Sequence, residues 1–311
     1  MSAWDDKEGL LVLLIGILFI VAIVLAVVAF VPLKSFEHNA TESVTATGGA
    51  ETLTLSVVVD VCNVKIVFEE MDGKDVQVDL NIDGRSGYLS NEPDIIFTVD
   101  HDQVGQALSV DVVLDMESGF SFSYEDALCL VTIDPSLRTA VDVKVDVGDA
   151  SLHANSPVEL DVGKLDVNVG SVRVELGTGV SLHGDLDLRS KVGSVNMECR
   201  SLTLGEDIEV GLTVSTGSIS LYAMQTIDPG ANMTFNCNVD VGSIKVNLDL
   251  TGDIAGEISS STGVGDISTD ITGFSGLETH LVSDNFPGER NFTLNLMSDV
   301  GAIEIDASWS G

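Results

Sequence analysis

Four cysteines, Cys62, Cys129, Cys199 and Cys237, form the one constellation in this chain whose residue types could do covalent chemistry. An even number admits two disulfides in an oxidising compartment. Cys62 and Cys129, both in the amino-terminal strand region, make one pair. Cys199 and Cys237 make the other only where their segments lie side by side, because a bridge needs Cα atoms within about 7 Å. The alternative is four buried, reduced thiols serving as small apolar side chains. His153 and His183 lie in polar-alternating strands, which favours solvated or cross-strand histidines over a metal pair. Gly263-Val-Gly265 opens like a dinucleotide loop, but the third glycine and the following helix are missing. The chain has no H-E-x-x-H, G-x-S-x-G, Walker A loop, C-x-x-C or D-x-D-x-D-G calcium loop. No catalytic, cofactor-binding or metal-binding residue follows from its motifs, and the expectation is a non-enzyme without a cofactor.

Two further sets of residues could make contacts. Asn39, Asn232 and Asn291 each open an N-x-S/T sequon, the acceptor of N-glycosylation in secreted domains. Two polar loops carry aromatics: ESGFSFSYED (117–126) holds Phe120, Phe122 and Tyr124, and VSDNFPGERNF (282–292) holds Phe286 and Phe292 beside Glu289 and Arg290. Protruding loops on a rigid scaffold are a common way to build a contact site.

The elements that must position these residues are set by a returning glycine. Gly148, Gly170, Gly193, Gly217, Gly242 and Gly265 are separated by 22, 23, 24, 25 and 23 residues, and Gly301 follows after 36. Each sits in a similar phrase, such as VNVGSVRV (167–174) or VDVGSIKV (239–246). Apolar and polar residues alternate on both sides of it. Val141, Val143, Val145 and Val147 point one way, while Asp142, Lys144 and Asp146 point the other, as in a half-buried strand. Glycine accepts positive φ or close backbone approach, so it marks the bend between two strands. A period near 23 residues implies stacked coils that cannot bury their apolar faces alone. The fold class expected is therefore all-β, a β-solenoid over 141–311, with a strand region over 51–140 continuous with it. VDVCNVKI (59–66) has the same register, Cys62 standing in the glycine position. Either Trp309 covers the open last coil, or that end meets a partner or another copy of the chain.

Residues 10–31 contain no charged side chain. Their 22 residues span about 33 Å as a helix, enough for the roughly 30 Å hydrocarbon layer. The expected organisation is a tail over 1–9, a transmembrane helix over 10–32 and a linker over 33–50. Lys7 and Lys34 flank the apolar run almost symmetrically, so the cysteines and sequons argue for a large domain outside the cytoplasm. The net charge of −35 excludes nucleic acid as a partner, since phosphates would be repelled. It suits a soluble surface, including one in a salty habitat.

The order VDVCNVKIVF, then LCLVTIDPSLRTAVDVKVDVGDASL, then VGSVRV-like phrases resembles the putative adhesin family of domains of unknown function. The resemblance spans residues 50–307, with Ile133, Asp134 and Pro135 at a typical strand end and Gly148 opening the ladder. It implies a β-solenoid-like domain of the cell envelope and carries over no catalytic residue. Cys62 and the long final coil (266–300) depart from the pattern. Together these readings point to a non-catalytic, single-span surface protein acting in adhesion, envelope scaffolding or contact with a surface protein or glycan. The alternatives are an envelope sensor signalling through a membrane partner, a filament subunit, or a surface hydrolase with a carboxylate cluster in a groove.

Overall fold

The computed structural model describes residues 34–87, 93–116, 122–155 and 157–311. The apolar segment 10–32 lies outside them. Among the described residues, no helix is long and apolar enough to cross a membrane.

The described chain is all-β, with twenty-one strands in one hydrogen-bonded set. The amino-terminal part comprises β1 (Lys34–Val44), β2 (Thr52–Val61), β3 (Asn63–Phe68), β4 (Val76–Ser86), β5 (Ile95–Val104), β6 (Ala107–Met116) and β7 (Phe122–Ile133). The middle comprises β8 (Arg138–Val147), β9 (Ala150–Ala154), β10 (Val158–Leu176), β11 (Val180–Leu182), β12 (Leu186–Arg200), β13 (Thr203–Leu204), β14 (Ile208–Gln225) and β15 (Met233–Thr251). The remainder comprises β16 (Ile254–Val264), β17 (Ile267–Thr272), β18 (Phe274–Leu277), β19 (His280–Ser283), β20 (Arg290–Val300) and β21 (Ile303–Ser310).

Successive coils pair in parallel with like position on like position. Gly170 lies on Gly193, Gly193 on Gly217, and Gly217 on Gly242. These glycines are corners, with φ between +139° and +149°, a region that L side chains rarely adopt. The constraint is also one of space. A Cβ on Gly217 would overlap the carbonyl of Gly193, and one on Gly242 would overlap that of Gly217. Cys62 heads this column: its amide donates to Val147 O at 3.0 Å, and its carbonyl fills the space where Gly148 would carry a side chain. Where Ser or Thr stands three residues before the corner, its hydroxyl donates to the glycine carbonyl of the neighbouring layer. Ser190 reaches Gly170 O at 2.8 Å, and Thr262 reaches Gly301 O at 3.1 Å.

Alternating side chains fill the interior in columns such as Val143, Leu165, Leu188, Leu212 and Cys237. Polar partners face out, and so does the residue before each corner: Val147, Val169, Val192, Val241, Val300 and Val264 form a half-exposed ridge along the stack. One buried polar side chain is fully satisfied. Gln225 accepts from Leu202 N and donates to Leu202 O and Ile227 O, each at 2.9 Å.

Three expectations change. Residues 34–44 are not linker but β1, antiparallel to β4 through its whole length and buried at Phe36 and Val44. The layers do not follow chain order at the carboxyl end. β20 and β21 slide between β15 and β16–β17, so Gly301 stacks on Gly242 and Gly265 stacks on Gly301. Trp309 does not cover the end: it pairs with Leu250 in that inserted layer, and its indole donates to Gly252 O at 3.2 Å. The outermost layer is β16–β17, partly covered by the β18–β19 hairpin, which pairs with Glu257–Ser259. At the other end, β2–β3 lie between β6–β7 and β8–β9, and β5, β4 and β1 add antiparallel strands outside.

Gly217→Ala should cost about 3 kcal/mol or more, because corner strain of about 1–3 kcal/mol adds to the backbone overlap. Gly211→Ala is the control: its Cβ would meet Asp187 Oδ1 at an ordinary 3.6 Å. It should change stability by less than about 0.5 kcal/mol. Urea unfolding of both variants checks the pair. Gln225→Ala, which orphans both backbone groups of Leu202, should cost about 1–3 kcal/mol in the same assay.

Candidate functional site, a groove on the outer face

The thirty-six-residue interval between Gly265 and Gly301 leaves room for more than one coil. The surplus forms the β18–β19 hairpin, which pairs beside β16 at the end of the stack, and the 284–289 loop, whose Phe286 and Pro287 reach the outer face of β14, β15, β20 and β16. Beneath the loop lies a groove of about 700 Å³, lined by Asp185, Asp207, Glu209, Glu257, four asparagines, Thr234, Thr293, Phe286 and Pro287. A second depression of about 350 Å³ shares Asn236 and Asn295 with it and is walled by Thr279 of the hairpin. The Phe286–Pro287 peptide is cis.

The floor is a set of cross-strand ladders. Asn232 Nδ2 and its backbone N–H donate to Asp207 Oδ1 at 3.1 and 2.9 Å, and Asn232 Oδ1 accepts from Asn291 N at 3.0 Å. In the next rung, Asn236 Nδ2 donates to Glu209 Oε1 at 2.6 Å, and Asn295 Nδ2 donates to Asn236 Oδ1 at 2.8 Å. Asp185 Oδ1 accepts the backbone N–H of Glu209 at 2.8 Å. Thr234, Thr293 and Glu257 lie side by side across three strands. The Asn232 backbone N–H, then its side chain, hold the Asp207 carboxyl below the usual carboxylate range. Among the described residues, no Lys, Arg or His lines this groove. Arg290 turns to Asp228 at 3.4 Å, and His280 stands 4.0 Å from Glu257. In the smaller depression, Asn238 Oδ1 is buried without a partner among the described residues.

Sequence reasoning had found parts of this site separately. Of the two aromatic loops, 282–292 contributes Phe286 as a wall, whereas Phe292 is buried at 1% exposure against Phe235, with ring centroids 6.3 Å apart. In the other loop, Tyr124 packs edge-on against Phe36 at 5.9 Å. Phe120 and the side chain of Phe122 lie outside the described residues. Two sequon asparagines, Asn232 and Asn291, meet in one rung of the groove, while Asn39 stands exposed on β1. The four carboxylates went unrecognised. They come from three separated segments, Asp185, Asp207 with Glu209, and Glu257, and only the register of the stack brings them together.

The disulfide expectation is not met: Cys62, Cys129, Cys199 and Cys237 are all free and buried. Cys199 pairs with Ala223 in a strand after the corner, whereas Cys237 pairs with Leu212 in a strand before it, so the two sit on different walls. The Cys62 thiol instead donates to Asn63 O at 3.3 Å. Burial pushes the Cys199 and Cys237 thiols up to about 12. His153 and His183 do not form a metal pair: His153 Nδ1 meets Glu175 at 2.8 Å, and His183 faces Glu159 at 3.8 Å.

No family model and no curated protein matches the chain. It is similar to several solved structures. A putative cell adhesion protein from Clostridium sporogenes shares 15% identity over 88% of this chain and 100% of that one, with a TM-score of 0.38. A putative adhesin from Bacteroides fragilis shares 16% identity over 87% and 97%, with a TM-score of 0.35. A putative lipid binding protein from Parabacteroides distasonis shares 12% identity over 86% and 96%, with a TM-score of 0.33. The putative adhesin resemblance is thus met by neighbours of that description. At this level of similarity they assign no ligand and no activity.

Two measurements check this chemistry. A thiol reagent at mildly alkaline pH should leave the native chain unlabelled, and after unfolding without reductant it should report all 4 cysteines. Stability should also fall in acid. Burial raises the Asp134 and Glu175 carboxyls, but bonds from Ser136 and Met71 N, and from His153 and Arg173, outweigh it and hold both below the usual range. Their contribution is present above about pH 4 and is lost as pH falls through the depressed values. Burial and the bond to Asp115 raise Asp60, which acts in the opposite sense. Asp134→Asn should therefore flatten the acid side of a urea-midpoint-against-pH curve.

Proposed function

We propose that this chain is a non-catalytic surface-contact protein: a β-solenoid held to the membrane by residues 10–31, with the arched groove as its contact site. The observation that carries this reading is the groove itself. The regular coils leave their outer faces open, and the one coil with surplus length uses it to wall an amide-and-carboxylate floor with Phe286. A rigid ladder under an adaptable loop is the arrangement binding surfaces favour. The long apolar segment and the acidic, soluble domain support display outside the cell.

A second reading, a surface glycan hydrolase, draws on the same carboxylates. Hydrolysis by a carboxyl pair needs one acid held protonated by a raised pKa. Asp207 is moved the other way by the bonds it accepts from Asn232. Binding is therefore the better supported function.

Protease treatment of intact cells carrying the full chain should release the β domain, and the anchored chain should retain adherent cells or glycan. Protection of the domain from protease, or new reducing ends appearing in a glycan incubated with it, would overturn this function.

A further inference from the structure

Resting on the reading of the groove as the contact site, we propose that its ligand is an amine-bearing saccharide, a glucosamine-type glycan. Its ammonium groups and hydroxyls supply hydrogen-bond donors to the unfilled carboxylate oxygens of the groove.

The argument is a census of donors and acceptors. All four lining asparagines already spend an amide N–H on the protein: Asn232 on Asp207, Asn236 on Glu209, Asn295 on Asn236, and Asn291 on Gly288 O at 3.3 Å. Each amide keeps its second N–H, and beside these stand carboxylate oxygens that no protein donor fills. Among the described residues, the second oxygens of Asp185, Asp207 and Glu209 take no hydrogen bond, and Asn238 Oδ1 next door is buried with none. A buried acceptor left unpaired destabilises the protein, so a donor that reaches it stabilises the complex. Four carboxylates with no cation in the lining repel an anionic ligand and favour a cationic one.

Two features favour a sugar over a bare amine. Phe286 and Pro287 offer an apolar wall beside the carboxylates, fit for the C–H face of a sugar ring and for an ammonium over the aromatic ring. Within one rung the residues recur at the interstrand spacing of about 4.8 Å, near the length of one pyranose, so a chain of sugars laid along the stack meets one rung residue per ring. The partner class is thus a polymer of repeating rings, each bearing donors, with free rather than acetylated nitrogen.

Calorimetric titration of the full chain in detergent with oligomers of glucosamine, of N-acetylglucosamine and of galacturonate, and with polylysine as the bare amine, tests this. The glucosamine oligomer should bind, its acetylated counterpart should bind about 10-fold more weakly, and the galacturonate oligomer should give no heat. Phe286→Ala and Glu209→Gln should each weaken glucosamine binding about 10-fold, which is about 1.4 kcal/mol. Glu209→Gln keeps the acceptor for Asn236, so it decides the matter alone if Phe286→Ala lowers the unfolding midpoint. Equal binding of galacturonate, equal binding of polylysine that both variants leave untouched, or no effect of Glu209→Gln on glucosamine binding would each overturn the proposal. Cell adherence measured on the same variants separates the two levels. Adherence that survives them leaves the surface-contact function standing without this ligand, whereas absent adherence by the parent chain removes that function itself.

Discussion

Everything in this molecule depends on how closely two backbones can approach at a corner. The carbonyl of one corner residue occupies the space into which the Cβ of the next layer would project, and the chain there adopts positive φ. Glycine meets both conditions without strain. Once corners stack on corners, register is fixed, and with period-two alternation the inward and outward columns are fixed too. Cys62 stands at the head of the column outside the positive-φ region, so it keeps its side chain.

Fixed register turns the outer faces into ladders, and ladders explain the electrostatics. The few cations are largely used locally: Arg189 and Arg200 bind carboxylates two residues away at 2.7 and 2.5 Å, and Arg173 binds Glu175 likewise. Arg200 also lies 5.2 Å from the ring centre of Tyr222 in the neighbouring coil. Such exposed pairs add little stability each. None of these three lines the groove around Asp207 and Glu209, and Arg290, turned to Asp228, acts on Asp207 only through its charge.

Much of this was legible in the sequence. The glycine interval announced the layers, the alternation announced that Val141, Val143 and Val145 face inward but not that Val147, next to the corner, turns out, and VDVCNVKI announced that Cys62 occupies a corner. What was not legible depends on which layers become neighbours. Residues 34–44 read as polar linker because β1 buries little beyond Phe36 and Val44 and leaves its other side chains largely to water. Of the two cysteine readings, reduced thiols hold, and for Cys199 and Cys237 the reason is that the wall on which each sits depends on its place relative to the corner. The groove was half-visible, as an aromatic insertion and two sequons, but its carboxylates belong to segments that only the stacked register unites.

The inverted order of the final layers has a consequence for assembly. Because β20 and β21 are wedged between β15 and β16–β17, deleting them would open a slot inside the pile rather than shorten it. The outer wall made by residues 254–272 can therefore dock only after later residues have threaded in beside β15. A molecule built this way cannot be completed one storey at a time in the order of its synthesis; its roof waits for a floor that is made last.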